Sequence, residues 1–142
     1  MIYLNFILIA TLITLSIIDW KSYRLPNFGI LILLTLSLVT VFLNNSWGKS
    51  LVSSALIFTF TLILYSIGYL LKKKPVLGIG DIKLFTVLGL TLGLYDIPQF
   101  FIFSGVFGLL TNLYFRFAKN TPVSPLGPAI CLSYLITYYG AL

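Results

Sequence analysis

Three carboxylates make up the whole acidic complement of this 142-residue chain: Asp19, Asp81 and Asp96, with no glutamate and no histidine. Asp81 closes the stretch Gly78-Ile79-Gly80-Asp81, between a run of three lysines and an apolar segment. An ionisable group beside such a segment is costly unless something uses it. Two carboxylates brought close together cannot both ionise cheaply, so they share one proton. One then acts as base toward a water while the other donates a hydrogen bond, which is the chemistry of peptide hydrolysis by paired aspartates. Asp19 and Asp81 are the candidate pair. Gly78 and Gly80 have permissive backbones and no side chains, so the sequence suggests a strip along which an extended peptide can pass Asp81.

Helix dipoles suggest how the pair divides its roles. Asp81 opens an apolar segment and Asp19 closes one; a helix N-terminus favours a carboxylate and a C-terminus disfavours it. On that criterion Asp81 is the ionised member and Asp19 holds the proton. Lys83, two residues beyond Asp81, either supports that charge or extends to the membrane interface. Asp96 sits beside Pro98, away from the other two, and reads as an interfacial residue.

The composition says what must position these groups. Hydrophobic residues make up 59% of the chain and charged residues 8%, and the mean hydropathy is +1.07. A soluble domain of this size could not cover so much apolar surface. The chain is therefore expected to be an all-α membrane protein, a polytopic bundle of about six transmembrane helices. Apolar runs fall at about 2–18, 28–43, 51–71, 82–95, 99–115 and 129–142. The first lacks a basic lead and a small-residue cleavage site, so it reads as a retained helix rather than a secretory signal. No linker or low-complexity tract separates a second domain, so residues 1–142 are expected to be one membrane domain.

The breaks between runs carry the topology. Eight of the nine basic residues, Lys21, Arg24, Lys72, Lys73, Lys74, Lys83, Arg116 and Lys119, fall in or beside the first, third and fifth connections, and only Lys49 falls elsewhere. The positive-inside rule then puts both termini outside and Asp19 and Asp81 together on the cytoplasmic side of the cell membrane. The basic residues are scattered over short loops, which argues for membrane lipids and against nucleic acid as their partner. The single cysteine, Cys131, has no partner for a disulfide or a cysteine-based zinc site. Two or three carboxylates without histidine make a poor metal site, and neither metal nor cofactor is expected. Gly89 and Gly93 have the small-xxx-small spacing that lets helices approach closely.

With these residues in place the chain resembles the type IV prepilin peptidase family, membrane aspartyl proteases of the G-x-G-D kind. The resemblance rests on Asp19 followed by Pro26-Asn27, on Gly78-Ile-Gly-Asp81-Ile-Lys83 with the two acids 62 residues apart, and on Pro125-Leu-Gly-Pro-Ala129 before the last segment. It implies that Asp19 and Asp81 are catalytic, with Gly78, Gly80, Lys83, Pro26 and Asn27 in support. It also implies cleavage of the basic leader of type IV prepilins or pseudopilins, after a glycine, at the cytoplasmic membrane face. Long members of the family carry a large loop with paired cysteines and also methylate the new N-terminus; the absence of that loop here implies the short, peptidase-only form. Asn27 stands where many members have aspartate.

Two other readings compete. A non-enzymatic membrane protein using its acids as a proton or cation path, or in assembly, should place them at several depths, whereas these two share a face. A presenilin-like protease shares G-x-G-D but usually carries its first aspartate inside a helix beside a tyrosine, whereas Ile18 precedes Asp19 and a polar loop follows.

Overall fold

A computed structural model of the chain describes residues 2–23, 25–73, 77–118 and 124–140. Six helices follow one another: α1 (Ile2–Ser22), α2 (Asn27–Leu43), α3 (Trp47–Lys72), α4 (Ile79–Gly89), α5 (Ile97–Ala118) and α6 (Gly127–Gly140). No strand occurs among the described residues. Arg24, Lys74 and Lys119, three of the charges used for orientation, lie outside the described residues, as does the start of the proline-rich connection.

The helices differ in reach. Tyr3–Ser22, Trp47–Leu71 and Ile97–Phe117 are long and apolar enough to cross a bilayer alone. α2 has 17 residues, α6 has 14 and α4 only 11; at about 1.5 Å per residue, α4 spans roughly half of a hydrocarbon core. The apolar run at 82–95 suggests a longer fourth helix, but the helix ends at Gly89. Beyond it Thr91 N–H bonds to the Leu88 carbonyl at 3.1 Å, and the chain turns before Asp96. The Asp96 carboxylate accepts the Gly93 N–H at 3.2 Å and its carbonyl accepts the Phe100 N–H at 2.9 Å, so Asp96 stands just before α5 and takes its first backbone bond.

Local signals account for the other boundaries. α1 runs past Ile18 and carries Asp19 inside its last turn; it stops at Tyr23, whose φ of 55° is left-handed. Pro26 precedes α2 with extended angles and offers its carbonyl to the Gly29 and Ile30 N–H groups. Lys73, also left-handed at φ 51°, ends α3.

Packing follows the rules of a membrane interior, where small residues and hydrogen bonds join helices. On α1, Leu8, Leu12, Leu15 and Asp19 are all buried, and their spacing of four, three and four residues makes them one helical stripe. Gly29 of α2 lies directly against Leu15. α3 and α4 are joined by the Ser54 hydroxyl donating to the Thr86 carbonyl at 2.9 Å. They meet at Gly89, where a Cβ would stand 3.2 Å from the Ser54 Cα and 2.8 Å from Ile57 Cδ1. Gly93 has no such role: a Cβ there would meet the Asp96 carboxylate at 2.7 Å. Farther along, Phe85, Phe100 and Tyr134 form an aromatic layer, and the Tyr134 and Thr91 hydroxyls lie 2.7 Å apart. The outer faces of α1, α3 and α5 expose large apolar side chains such as Phe6, Leu70 and Leu109, as suits contact with lipid.

Candidate functional site

The two acids come from distant parts of the chain and lie at one end of the bundle, near enough for the charge of Asp19 to act on Asp81. Asp19 is only 4% exposed, because it continues the buried stripe of α1 by one more turn. Its carboxylate faces the start of α6, where Oδ2 accepts the Gly127 N–H at 2.8 Å. Asp81 is half-buried in the first turn of α4. Its Oδ2 accepts the N–H of Gly78, the residue preceding that helix, at 3.2 Å. Among the described residues, Oδ1 of neither acid has a hydrogen-bond partner.

This geometry overturns the dipole criterion. Asp19 closes its own helix, but its carboxylate sits on the N-terminus of another. Both acids therefore stand at helix N-termini, and helix polarity does not tell them apart. Asp81 lies outside the three long spans. Burial pushes its carboxyl up to about 6, the nearby negative charge of Asp19 adds to the rise, and the Gly78 N–H opposes it. Asp81 is thus a carboxyl able to hold a proton close to neutral pH.

The supporting residues have structural reasons different from those the sequence suggests. None of the glycines described has a positive φ, so left-handed freedom is not what Gly78 or Gly80 supplies. Gly78 leaves room for its own hydrogen bond, since a Cβ there would come within 2.9 Å of Asp81 Oδ2. Gly80 lies against Leu25 of the connection after α1; a Cβ would stand 3.3 Å from Leu25 Cβ. The missing side chain makes room for Leu25. Lys83 donates to Asn27 Oδ1 at 3.3 Å instead of reaching back to Asp81. Pro26 orders the start of α2 and so places Asn27 for that bond. Asp19, Pro26-Asn27 and Gly78-Ile-Gly-Asp81 are thus one cluster, joined through Leu25–Gly80 and Asn27–Lys83. Asp96 is not part of it.

Gly127 is the site residue that reasoning about acids missed. Its signal was present, a glycine between Pro125 and Pro128 at the start of an apolar run, but nothing in that pattern names Asp19 as its partner. The free thiol of Cys131 is buried one turn farther along α6. Among the described residues no three His, Cys, Asp or Glu side chains gather as they would around a metal ion.

Comparison with known proteins matches residues 6–113 to the type IV leader peptidase family. Both acids fall inside the match, and α6 lies beyond it. Three curated proteins, each described as a prepilin leader peptidase/N-methyltransferase, are similar along most of the chain. The Vibrio cholerae protein is 29% identical over 131 residues, covering 90% of this chain and 52% of its own length. The Neisseria gonorrhoeae protein is 32% identical over 132 residues, covering 89% and 45%. The Bacillus subtilis protein is 30% identical over 141 residues, covering 94% and 54%. The chain thus spans about half the length of the curated relatives it matches. No solved structure matches it.

Proposed function

The chain belongs to the type IV leader peptidase family, and from that premise we propose that it is a membrane aspartyl endopeptidase. Its substrates are type IV prepilins or pseudopilins, whose basic leader it removes after a glycine at the cytoplasmic face of the cell membrane. The observation that carries this reading is that Asp19 and Asp81 share one end of the bundle, near enough for the charge of Asp19 to act on Asp81, each with one carboxylate oxygen tied to a backbone N–H. A proton or cation path gains no support from two acids gathered at a single end.

The reaction needs one protonated and one ionised carboxyl. The two carboxyls titrate as a pair; with the shared proton drawn on Asp81, that group donates to the scissile carbonyl oxygen while Asp19 accepts a proton from the attacking water. The water oxygen bonds to the carbonyl carbon, giving a tetrahedral diol. Asp19 then passes the proton it gained to the leaving nitrogen, the C–N bond breaks, and a diol hydroxyl returns its proton to Asp81. The products are a carboxylic acid on the leader and a free amine on the mature protein, and both acids end as they began.

The orientation reading stands on the eight basic residues in or beside alternate connections: both termini outside, both acids toward the cytoplasm. Leader removal alone is proposed; methylation, part of the relatives' description, is not carried over to a chain that spans about half their length.

Co-expression with a prepilin tests the proposal. Asp19→Asn and Asp81→Asn, each nearly isosteric, are expected to abolish leader removal on a gel while the protein still accumulates in the membrane. Normal processing by either variant would defeat the two-aspartate mechanism. Mass analysis of the mature product should show an unmethylated N-terminus.

A further inference from the structure

The bond between Asp19 and Gly127 joins residues 108 positions apart and is buried. Pro125, Gly127 and Pro128 are buried with it. Pro128 has no N–H and a preset φ, so it opens the first turn of α6 without competing as a donor. The Ile130 N–H returns to the Leu126 carbonyl at 3.0 Å and holds that turn in place. The space at residue 127 is fully used: a Cβ would lie 2.6 Å from Asp19 Oδ2, 2.9 Å from its Cγ and 3.0 Å from its Cβ. Since the backbone there is not left-handed, glycine is required for room and not for torsion.

From this geometry we infer that Gly127 is a positioning residue for the reaction, whose backbone N–H clamps one oxygen of Asp19 and leaves the other for the reacting water. The inference rests on the two-aspartate reading above. A carboxylate held at one oxygen loses its freedom to rotate, so the reacting oxygen is placed before substrate arrives. Asp81 is held in the same way by the Gly78 N–H, but that donor is the residue just before its own helix. The clamp on Asp19 comes from a helix far away in the chain, which makes α6 part of the site although it carries no acid.

Two variants separate positioning from folding. Gly127→Ala pushes a methyl group into the carboxylate. Replacing residue 127 with glycolate, by suppression with an α-hydroxy acid, turns the N–H into an ester oxygen and adds no bulk. The glycolate protein is expected to keep wild-type yield, melt somewhat lower because a buried hydrogen bond to a carboxylate is lost, keep KM, and lose about tenfold to a hundredfold in kcat. Its infrared spectrum should show the Asp19 carboxylate band, assigned by its loss in Asp19→Asn, shifted from the wild-type position. Gly105→Ala is the control, since a Cβ there meets nothing within 4 Å, and it should cleave normally. Wild-type kcat in the glycolate protein would overturn the inference, and so would a loss confined to yield or melting temperature. Normal cleavage by Asp19→Asn would instead sink the two-aspartate mechanism, a separate and recognisable result.

Discussion

Leu25 lies against Gly80, so the connection that follows Asp19 is packed on the helix that carries Asp81; a Cβ at residue 80 would stand 3.3 Å from Leu25 Cβ and 3.6 Å from its Cδ1. The separation of the two acids is therefore set partly by a contact that involves neither. Gly80→Ala forces a shift of a few tenths of an ångström at that point. Cleavage is expected to fall about threefold to tenfold, in keeping with small misplacements at reacting groups. Leu25→Ala in the same chain removes the opposing side chain and should restore most of the rate. If the double variant is no better than Gly80→Ala alone, Leu25 is not the contact that matters.

Protonation of Asp81 gives a second expectation. Its carboxyl is raised from 3.8 to about 6, first by burial and then by the charge of Asp19. An infrared titration of the protonated carboxyl band, assigned by its loss in Asp81→Asn, should have its midpoint near 6. In Asp19→Asn the midpoint should move down, because a source of negative charge is gone; an unmoved midpoint would mean that the two acids do not sense each other. The linkage to stability has a definite sign. The native state holds this proton more tightly than the unfolded chain, so the contribution is complete below 3.8 and is lost as the pH rises through about 6. Cleavage that depends on the Asp81 proton should decline over the upper part of that window.

Lys83 and Asn27 share one exposed hydrogen bond of 3.3 Å. Contacts of that kind are worth about 1 kcal/mol at most. Lys83→Gln is accordingly expected to melt within about 1 kcal/mol of wild type. Asn27→Asp would turn the contact into an ion pair and should raise stability by a few tenths of a kcal/mol, roughly 0.2–1 kcal/mol at low salt, with the gain lost at high salt. Denaturation in detergent at two salt concentrations measures both. A gain that survives high salt would point to some source other than the pair.

Gly89 is where α4 meets the backbone of α3. A methyl group there would stand 3.2 Å from the Ser54 Cα, which cannot swing aside as a side chain can. Gly89→Ala should cost about 1–3 kcal/mol in overpacking, seen as a lower melting temperature, and Ile57→Val should recover only the part due to Ile57 Cδ1. A melting temperature equal to wild type would show that α3 and α4 are free to separate.

Much of this site could be read before any coordinates. Rarity picked out Asp19 and Asp81, since an acid in so apolar a chain has few structural uses, and six apolar runs correspond to six helices. The burial of Asp19 was readable too, because Leu8, Leu12 and Leu15 set a stripe that reaches position 19 at helical spacing. What escaped was contact between segments. Chain order shows that Asp19 ends one helix but not that it abuts the start of another 108 residues on, and the dipole argument failed for that reason. Gly78 and Gly80 were recognisable as places where a side chain is excluded. Whether the excluded volume belongs to a visitor or to Asp81 and Leu25 depends on distances that a linear pattern does not contain. The early end of α4 was hidden because apolar residues continue through Leu94 after the helix has stopped.

The brevity of α4 also affects the surrounding lipid. Eleven residues rise about 16 Å, and this helix, fastened to α3 through Ser54–Thr86 and Gly89, cannot lengthen by tilting independently. A bilayer matched to α3 is too thick for α4, and hydrophobic mismatch is relieved by thinning the membrane where the helix falls short, at a fraction of a kcal/mol per ångström. In a bilayer, that thinning would fall beside the helix whose first turn carries Asp81. In vesicles of increasing acyl-chain length, that deformation becomes a growing load on the α4 end of the bundle.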